Sequence, residues 1–114
     1  MLKNSTKNTI VSEKARYCNN IFSKATGLMF SKKPDKALIF DFKKEKIISL
    51  HMLFVFYPID VIFLNKDKKV VEIKGNFRPF RFYIPKKRAM YVIEVPEGSI
   101  ERSKTELGDK ILIR

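Results

Sequence analysis

The sequence predicts a mainly β protein: a small antiparallel barrel or sandwich of about seven strands with one or two short helices. Three observations carry that prediction. Residues 47–73 (IISLHMLFVFYPIDVIFLNKDKKVVEI) hold the densest apolar run, and the polar turn NKDKK falls inside that stretch, as in a hairpin. Several short segments place apolar side chains two residues apart. Turn-forming residues recur between these segments, and only one stretch has helical spacing.

Taken in order, residues 1–9 are polar and aperiodic and predict a flexible N-terminal end, with residues 10–114 forming a single β-rich domain. A first strand is expected over 10–18. Asn19 or Asn20 then caps a short helix whose Ile21, Phe22, Ala25 and Met29 share one face, and Gly27 ends it. Residues 31–36 form a polar loop. In the strand 37–42, Leu38, Phe40 and Phe42 alternate with Ile39 and Asp41. KKEK at 43–46 reads as a turn, and 47–53 as a strand pairing back. Pro58 marks a break. Residues 59–64 and 70–74 form the central hairpin, closed by a solvated turn without a role of its own. The segment 75–87 (GNFRPFRFYIPKK) is the least regular. A strand at 89–95, a turn at 96–98, a helical turn capped by Ser99, a second turn at Leu107-Gly108-Asp109 and a last strand at 111–113 complete the chain.

The chain has 114 residues, of which 45% are hydrophobic, enough for one core and too many for a disordered protein. Cys18 is the single cysteine, so no internal disulfide forms, in keeping with a reducing compartment. The first twenty residues lack the apolar segment of an export signal. The run from Met52 to Leu64 is interrupted by Pro58 and Asp60 and falls short of the roughly 20 residues a membrane span needs. A soluble cytoplasmic protein with no membrane partner is expected. A net charge of +12 raises nucleic acid as a partner. Yet lysine outnumbers arginine 18 to 6, and most lysines fall in predicted turns spread over several loops. That pattern predicts nonspecific attraction to polyanions rather than a built groove.

The motifs GLMF at 27–30, ALIFDF at 37–42, HMLFVFYPIDVIFL at 51–64, VVEI at 70–73, VIEVPEG at 92–98 and LGDKI at 107–111 resemble, in order and spacing, the uncharacterised family called domain of unknown function 192. Archaeal-type members look closest, and the resemblance covers residues 10 to 113. It implies a compact, mostly antiparallel β domain and no established activity, cofactor or catalytic residue. The family's recurrent aspartate in its Pro-hydrophobe-Asp motif corresponds to Asp60, and its Gly-Asp pair to Gly108 and Asp109.

The residues themselves carry few signs of catalysis. His51 is the only histidine, and no Gly-x-Ser-x-Gly elbow accompanies it. One His and one Cys supply too few of the usual zinc ligands. The four glycines stand alone at turns, so no phosphate loop and no cofactor is predicted. Cys18 reads as a small buried side chain, and Asp109 as a turn residue. Asp60 stands out as a carboxylate inside an apolar strand, where burial demands partners. It reads either as a pin accepting backbone N–H groups or as a pocket acid. The other candidate is the segment Phe77, Arg78, Pro79, Phe80, Arg81, Phe82 and Tyr83, where planar groups interleave with fixed cations able to hold phosphate or carboxylate. The function expected is a non-catalytic binding or accessory domain. Its site, beside residues 75–87, would comprise Asp60, Phe77, Arg78, Phe80, Arg81 and Tyr83 and take a small anionic or sugar-like ligand. Two alternatives are a small hydrolase or transferase using Asp60 with His51 or Asp41, and a nucleic-acid-binding protein acting through basic loops.

Overall fold

A computed structural model describes residues 1–18, 37–51, 58–78 and 81–114, without the side chains of Cys18 and His51. In chain order the described elements are β1 (Leu2–Asn4), β2 (Thr9–Ser12), β3 (Ala15–Cys18), β4 (Ala37–Lys46), β5 (Leu50–His51), β6 (Ile59–Leu64), β7 (Val70–Phe77), β8 (Phe82–Tyr83), β9 (Ala89–Pro96), α1 (Ser99–Ser103) and β10 (Ile111–Ile113). The predicted helix at 19–27 and the loop at 31–36 lie outside the described residues.

Five strands form the main sheet in the order β3-β4-β9-β6-β7. Its middle strand, β9, reads AMYVIEVP, and period-two alternation sends successive side chains to opposite faces. On the first face Val92 joins Leu38, Phe40, Ile59, Val61, Phe63 and Phe77 in one apolar cluster. On the second face Tyr91, Ile93 and Val95 join Ile39, Ile62 and Leu64 in another. A three-stranded sheet, β10-β1-β2, covers the second face through Leu2, Val11 and Ile111, all fully buried. The small β5-β8 sheet covers part of the first face through Leu50 and Tyr83. The layers make a sandwich-like β fold; among the described residues the sheets do not close into a barrel.

The antiparallel hairpin β6–β7 crosses residues 65–69 as expected. It is not central: β7 is the sheet edge, and β9 holds the middle because β4 and β6 both pair with it. Of the expected strand 47–53, residues 52 and 53 lie outside the described residues; the described part does not pair back onto β4, and Leu50 and His51 pair with β8 instead. The KKEK turn is absent too. β4 runs on to Lys46 through an irregularity at Lys43, whose φ is 68°. The segment 10–18 splits into β2 and β3, and β3 runs parallel to β4.

Residues 1–9 do not fray. β1 lies between β2 and β10, and the first and last residues exchange bonds, Met1 N to Arg114 O at 2.7 Å and Arg114 N to Met1 O at 2.9 Å. Polar side chains do the anchoring, which is why an aperiodic polar segment misled the prediction. Asn4 donates to Asp109 at 2.9 Å and Thr105 at 3.1 Å, and Lys7 reaches Asp109 at 2.8 Å. Asp109 also accepts the Glu106 N–H at 3.0 Å, which closes a turn where Gly108 adopts φ 89°. Burial alone would raise the Asp109 pKa; the bonds from Asn4, Lys7 and the Glu106 N–H outweigh it and hold it below the usual carboxylate value. The NKDKK turn is engaged as well: the Lys68 carbonyl accepts the Ile111 N–H at 2.9 Å, and Lys69 bridges to Lys110.

Candidate functional site

β7 does not pair regularly with β6. Val61 lies opposite Lys74 and Ile59 opposite Phe77, so between these pairs the single residue Asp60 of β6 faces two of β7. The extra residue is a β-bulge at Gly75 and Asn76, with Asn76 at φ 51°. Without it Lys74 and Phe77 would point to opposite faces. With it both stand on the first face, opposite two residues of one cluster.

Around this bulge opens a groove of about 470 Å³, lined by Lys74, Gly75, Asn76, Phe77, Arg78, Arg81, Phe82 and Tyr83. Phe77 is buried beneath it. The Tyr83 ring packs against Phe63 with centroids 6.0 Å apart and edge-on to Phe77 at 6.3 Å, and the Lys74 ammonium lies 5.7 Å from the Tyr83 centroid. Arg78 and Arg81 are exposed, and Phe82 is 67% exposed. Among the described residues the lining holds three cations and no carboxylate.

Glu72 secures the far wall. Its carboxylate accepts the Tyr83 hydroxyl and the backbone N–H groups of Lys86 at 2.8 Å and Lys87 at 3.0 Å. Burial, reinforced by this bond, pushes the Tyr83 phenol up to about 12, so it stays protonated and keeps donating near neutral pH. The segment from Lys74 to Arg88 carries six cations and no acid in sequence.

Asp60 faces away from the groove. It alternates with Ile59 and Val61 and points to the second face, where it is 3% exposed. One oxygen accepts the Asn76 N–H at 3.0 Å, and the other accepts the Gly98 and Ile100 N–H groups at 3.1 Å each. Asp60, not Ser99, therefore caps α1; the Ser99 hydroxyl donates to the Pro96 carbonyl at 2.6 Å. A second hollow of about 560 Å³, lined by Asp60, Glu97 and Glu101, shares Gly75 and Asn76 with the groove.

Asp60 is not brought to Asp41. Asp41 pairs with Tyr91 and Asp60 with Val95, four residues apart along β9 (roughly 13 Å) and on its opposite sides. Asp41 instead accepts the Lys43 N–H at 2.8 Å. His51 lies on β5, and its side chain, like Phe80, is outside the described residues. Among the described residues no group of three His, Cys, Asp or Glu side chains could hold a metal ion.

Sequence reasoning missed Lys74, Glu72 and Glu94 as notable residues. Glu94 sits on β9 between Leu38 and Val61 on the first face. It is 8% exposed, its Oε2 has no hydrogen-bond partner, and burial pushes its carboxyl up to about 8. An acid inside the alternating apolar run MYVIEV was the available signal.

Comparison with known proteins places the chain among uncharacterised relatives. The family model DUF192, described as Uncharacterized ACR, matches residues 2–113. A UPF0127 protein of Pyrococcus horikoshii is 43% identical over 113 residues, covering 97% of this chain and 96% of its own. A UPF0127 protein of Thermococcus sibiricus is 39% identical over 113 residues, covering 97% and 73%. A crystal structure of a protein of unknown function from Novosphingobium aromaticivorans superposes with a TM-score of 0.79 at 23% identity, over 87% of this chain and 74% of that one.

Proposed function

The chain belongs to the DUF192 family, and for this member we propose a non-catalytic, ligand-binding accessory role centred on the groove between β7 and β8. The observation that carries the proposal is the convergence of Lys74, Arg78 and Arg81 with Phe82, 67% exposed, on one hollow that has no carboxylate among its described lining residues. Guanidinium groups offer paired donors to phosphate or carboxylate, and an exposed ring offers a flat face to a sugar or planar group. The ligand class is accordingly a small anion with a sugar-like or planar part. A cytoplasmic setting belongs to the same proposal, in keeping with a single cysteine; among the described residues no helix is long and apolar enough to cross a membrane.

A thermal-shift panel of phenyl phosphate, a sugar phosphate, the neutral sugar and a short oligonucleotide tests this reading, because a ligand that binds only the native state raises its midpoint. Phenyl phosphate or the sugar phosphate should stabilise the wild type, and Arg78→Ala or Arg81→Ala should weaken that binding about tenfold each. Stabilisation by the oligonucleotide alone, lost at physiological salt and indifferent to Arg78 and Arg81, refutes the groove as the site.

A further inference from the structure

We infer that Asp60 is the positioning residue of this groove, acting from the opposite face of the sheet through the bulge at Gly75 and Asn76. The inference rests on the anion-binding reading above and deepens it. Asp60 lies in β6 between Ile59 and Val61, the two residues that face Phe77 and Lys74 across the irregular pair. Its carboxylate meets the one backbone N–H that the bulge directs toward it, that of Asn76 at 3.0 Å. The positive φ of Asn76 is uncommon for a residue with a side chain, asparagine tolerates it better than most, and the bond to Asp60 favours it here. The second oxygen of Asp60 accepts the Gly98 and Ile100 N–H groups at the start of α1, and either of these bonds suffices to hold the carboxylate in place.

The consequence for binding is geometric. The extra residue in β7 turns Lys74 to the same face as Phe77 and places its ammonium over the Tyr83 ring, at the inner side of a groove whose other cations are Arg78 and Arg81. If the bulge were lost, regular alternation would turn either Lys74 or Phe77 to the other face and dismantle the groove. Bulges re-aim side chains in this way beside functional sites. Asp60 thus touches no ligand itself; it fixes the backbone that aims a ligand-facing cation.

The test compares three variants with wild type, using phenyl phosphate as the probe and reading affinity separately from melting temperature. Asp60→Asn offers one oxygen and an amide group to three N–H donors and cannot accept from all of them. Asn76→Val leaves Asp60 in place and disfavours the positive φ. Ile100→Pro removes one donor on the helix side, in the first turn of α1 where that N–H makes no intrahelical bond, and leaves the bulge side intact. Asp60→Asn and Asn76→Val should each weaken probe binding about tenfold, the loss of one charge-assisted contact. Ile100→Pro should lower the melting temperature and keep the wild-type affinity. Wild-type affinity in a folded Asp60→Asn, or in Asn76→Val should Asp60→Asn fail to fold, overturns the inference. Equal loss of affinity in Ile100→Pro overturns it too, since the effect would then follow stability. Arg81→Ala keeps the two readings apart. If the wild type does not bind the probe, or Arg81→Ala binds as well as wild type, the anion-binding reading fails. The positioning role is then decided by the nuclear Overhauser contact between the Lys74 side chain and the Tyr83 ring. Its loss in Asn76→Val supports the role, and its persistence overturns it.

Discussion

Replacing Glu94 by Gln should make the protein more stable in alkali and leave its stability in acid nearly unchanged. Glu94 lies on the middle strand, flanked across the sheet by Leu38 and Val61, and is 8% exposed with Oε2 unpaired. Burial moves its pKa from 4.5 to about 8. Between those values the native state holds a proton that the unfolded chain has released, so stability falls as pH rises. The slope is a little over ~1 kcal/mol per pH unit, and the full window removes roughly 4–5 kcal/mol as an upper bound. Above pH 8 the loss is complete; below the unfolded value it is absent. Glutamine has nearly the same shape and never ionises. Urea melts of both proteins at pH 5, 7 and 9 should therefore show a stability difference that grows with pH in favour of Glu94→Gln. In thermal melts each kcal/mol is worth about 4 °C for a domain of this size. A difference that stays constant from pH 5 to 9 refutes the argument, because it would mean that Glu94 ionises as freely in the folded chain as in the unfolded one.

Asp60→Ala should destabilise by about 2–4 kcal/mol in denaturant melts, since three backbone N–H groups lose their acceptor at once. Asp109, whose pKa is held low, contributes stability that is present above the unfolded pKa and lost as pH falls through the folded value. Asp109→Asn should accordingly be less stable than wild type at pH 7 and approach it in acid melts as the pH falls below the unfolded value of 3.8. Shortening residues 65–69 to Asn-Gly should weaken β10 docking, because Ile111 loses the Lys68 carbonyl; amide exchange at Ile111 should accelerate while that of Ile93 changes less.

Much of the β architecture was legible because apolar alternation and turn residues agree over 37–42, 59–74 and 89–98. The alternation in β9 separates Val92 and Glu94 from Tyr91, Ile93 and Val95 as expected, but Met90, expected on the face of Val92, packs against the cluster of Tyr91 and Ile93. What was not legible is which strand pairs with which. The hairpin prior joined 47–53 to β4, whereas β9, arriving some fifty residues later, takes that place. Periodicity measures which face a side chain takes and carries no information on distant neighbours. The role of Asp60 as a pin was readable from the cost of burying a lone carboxylate, but its donors were not, since they come from Asn76, Gly98 and Ile100. Asn4 and Lys7 escaped notice for the same reason: polar anchoring by side chains leaves no period in the sequence. The groove was half visible. Arginines and aromatics between 77 and 83 marked its rim, while Lys74 belongs to it only through the bulge.

The position of that bulge also bears on how chain length can vary within such a fold. β9 feeds two cores at once, so a one-residue insertion there would exchange every apolar side chain between them and ruin both. Among the described strands β7 pairs with β6 alone, and on its other side only its first residue is bonded, to the Gly108–Asp109 turn. An added residue there bends one margin, shifts a single side chain to a new face and leaves both cores intact. The rim of the sheet is therefore where insertions and deletions can be sampled cheaply, and a groove built at that rim can change its chemistry while the sandwich behind it stays the same.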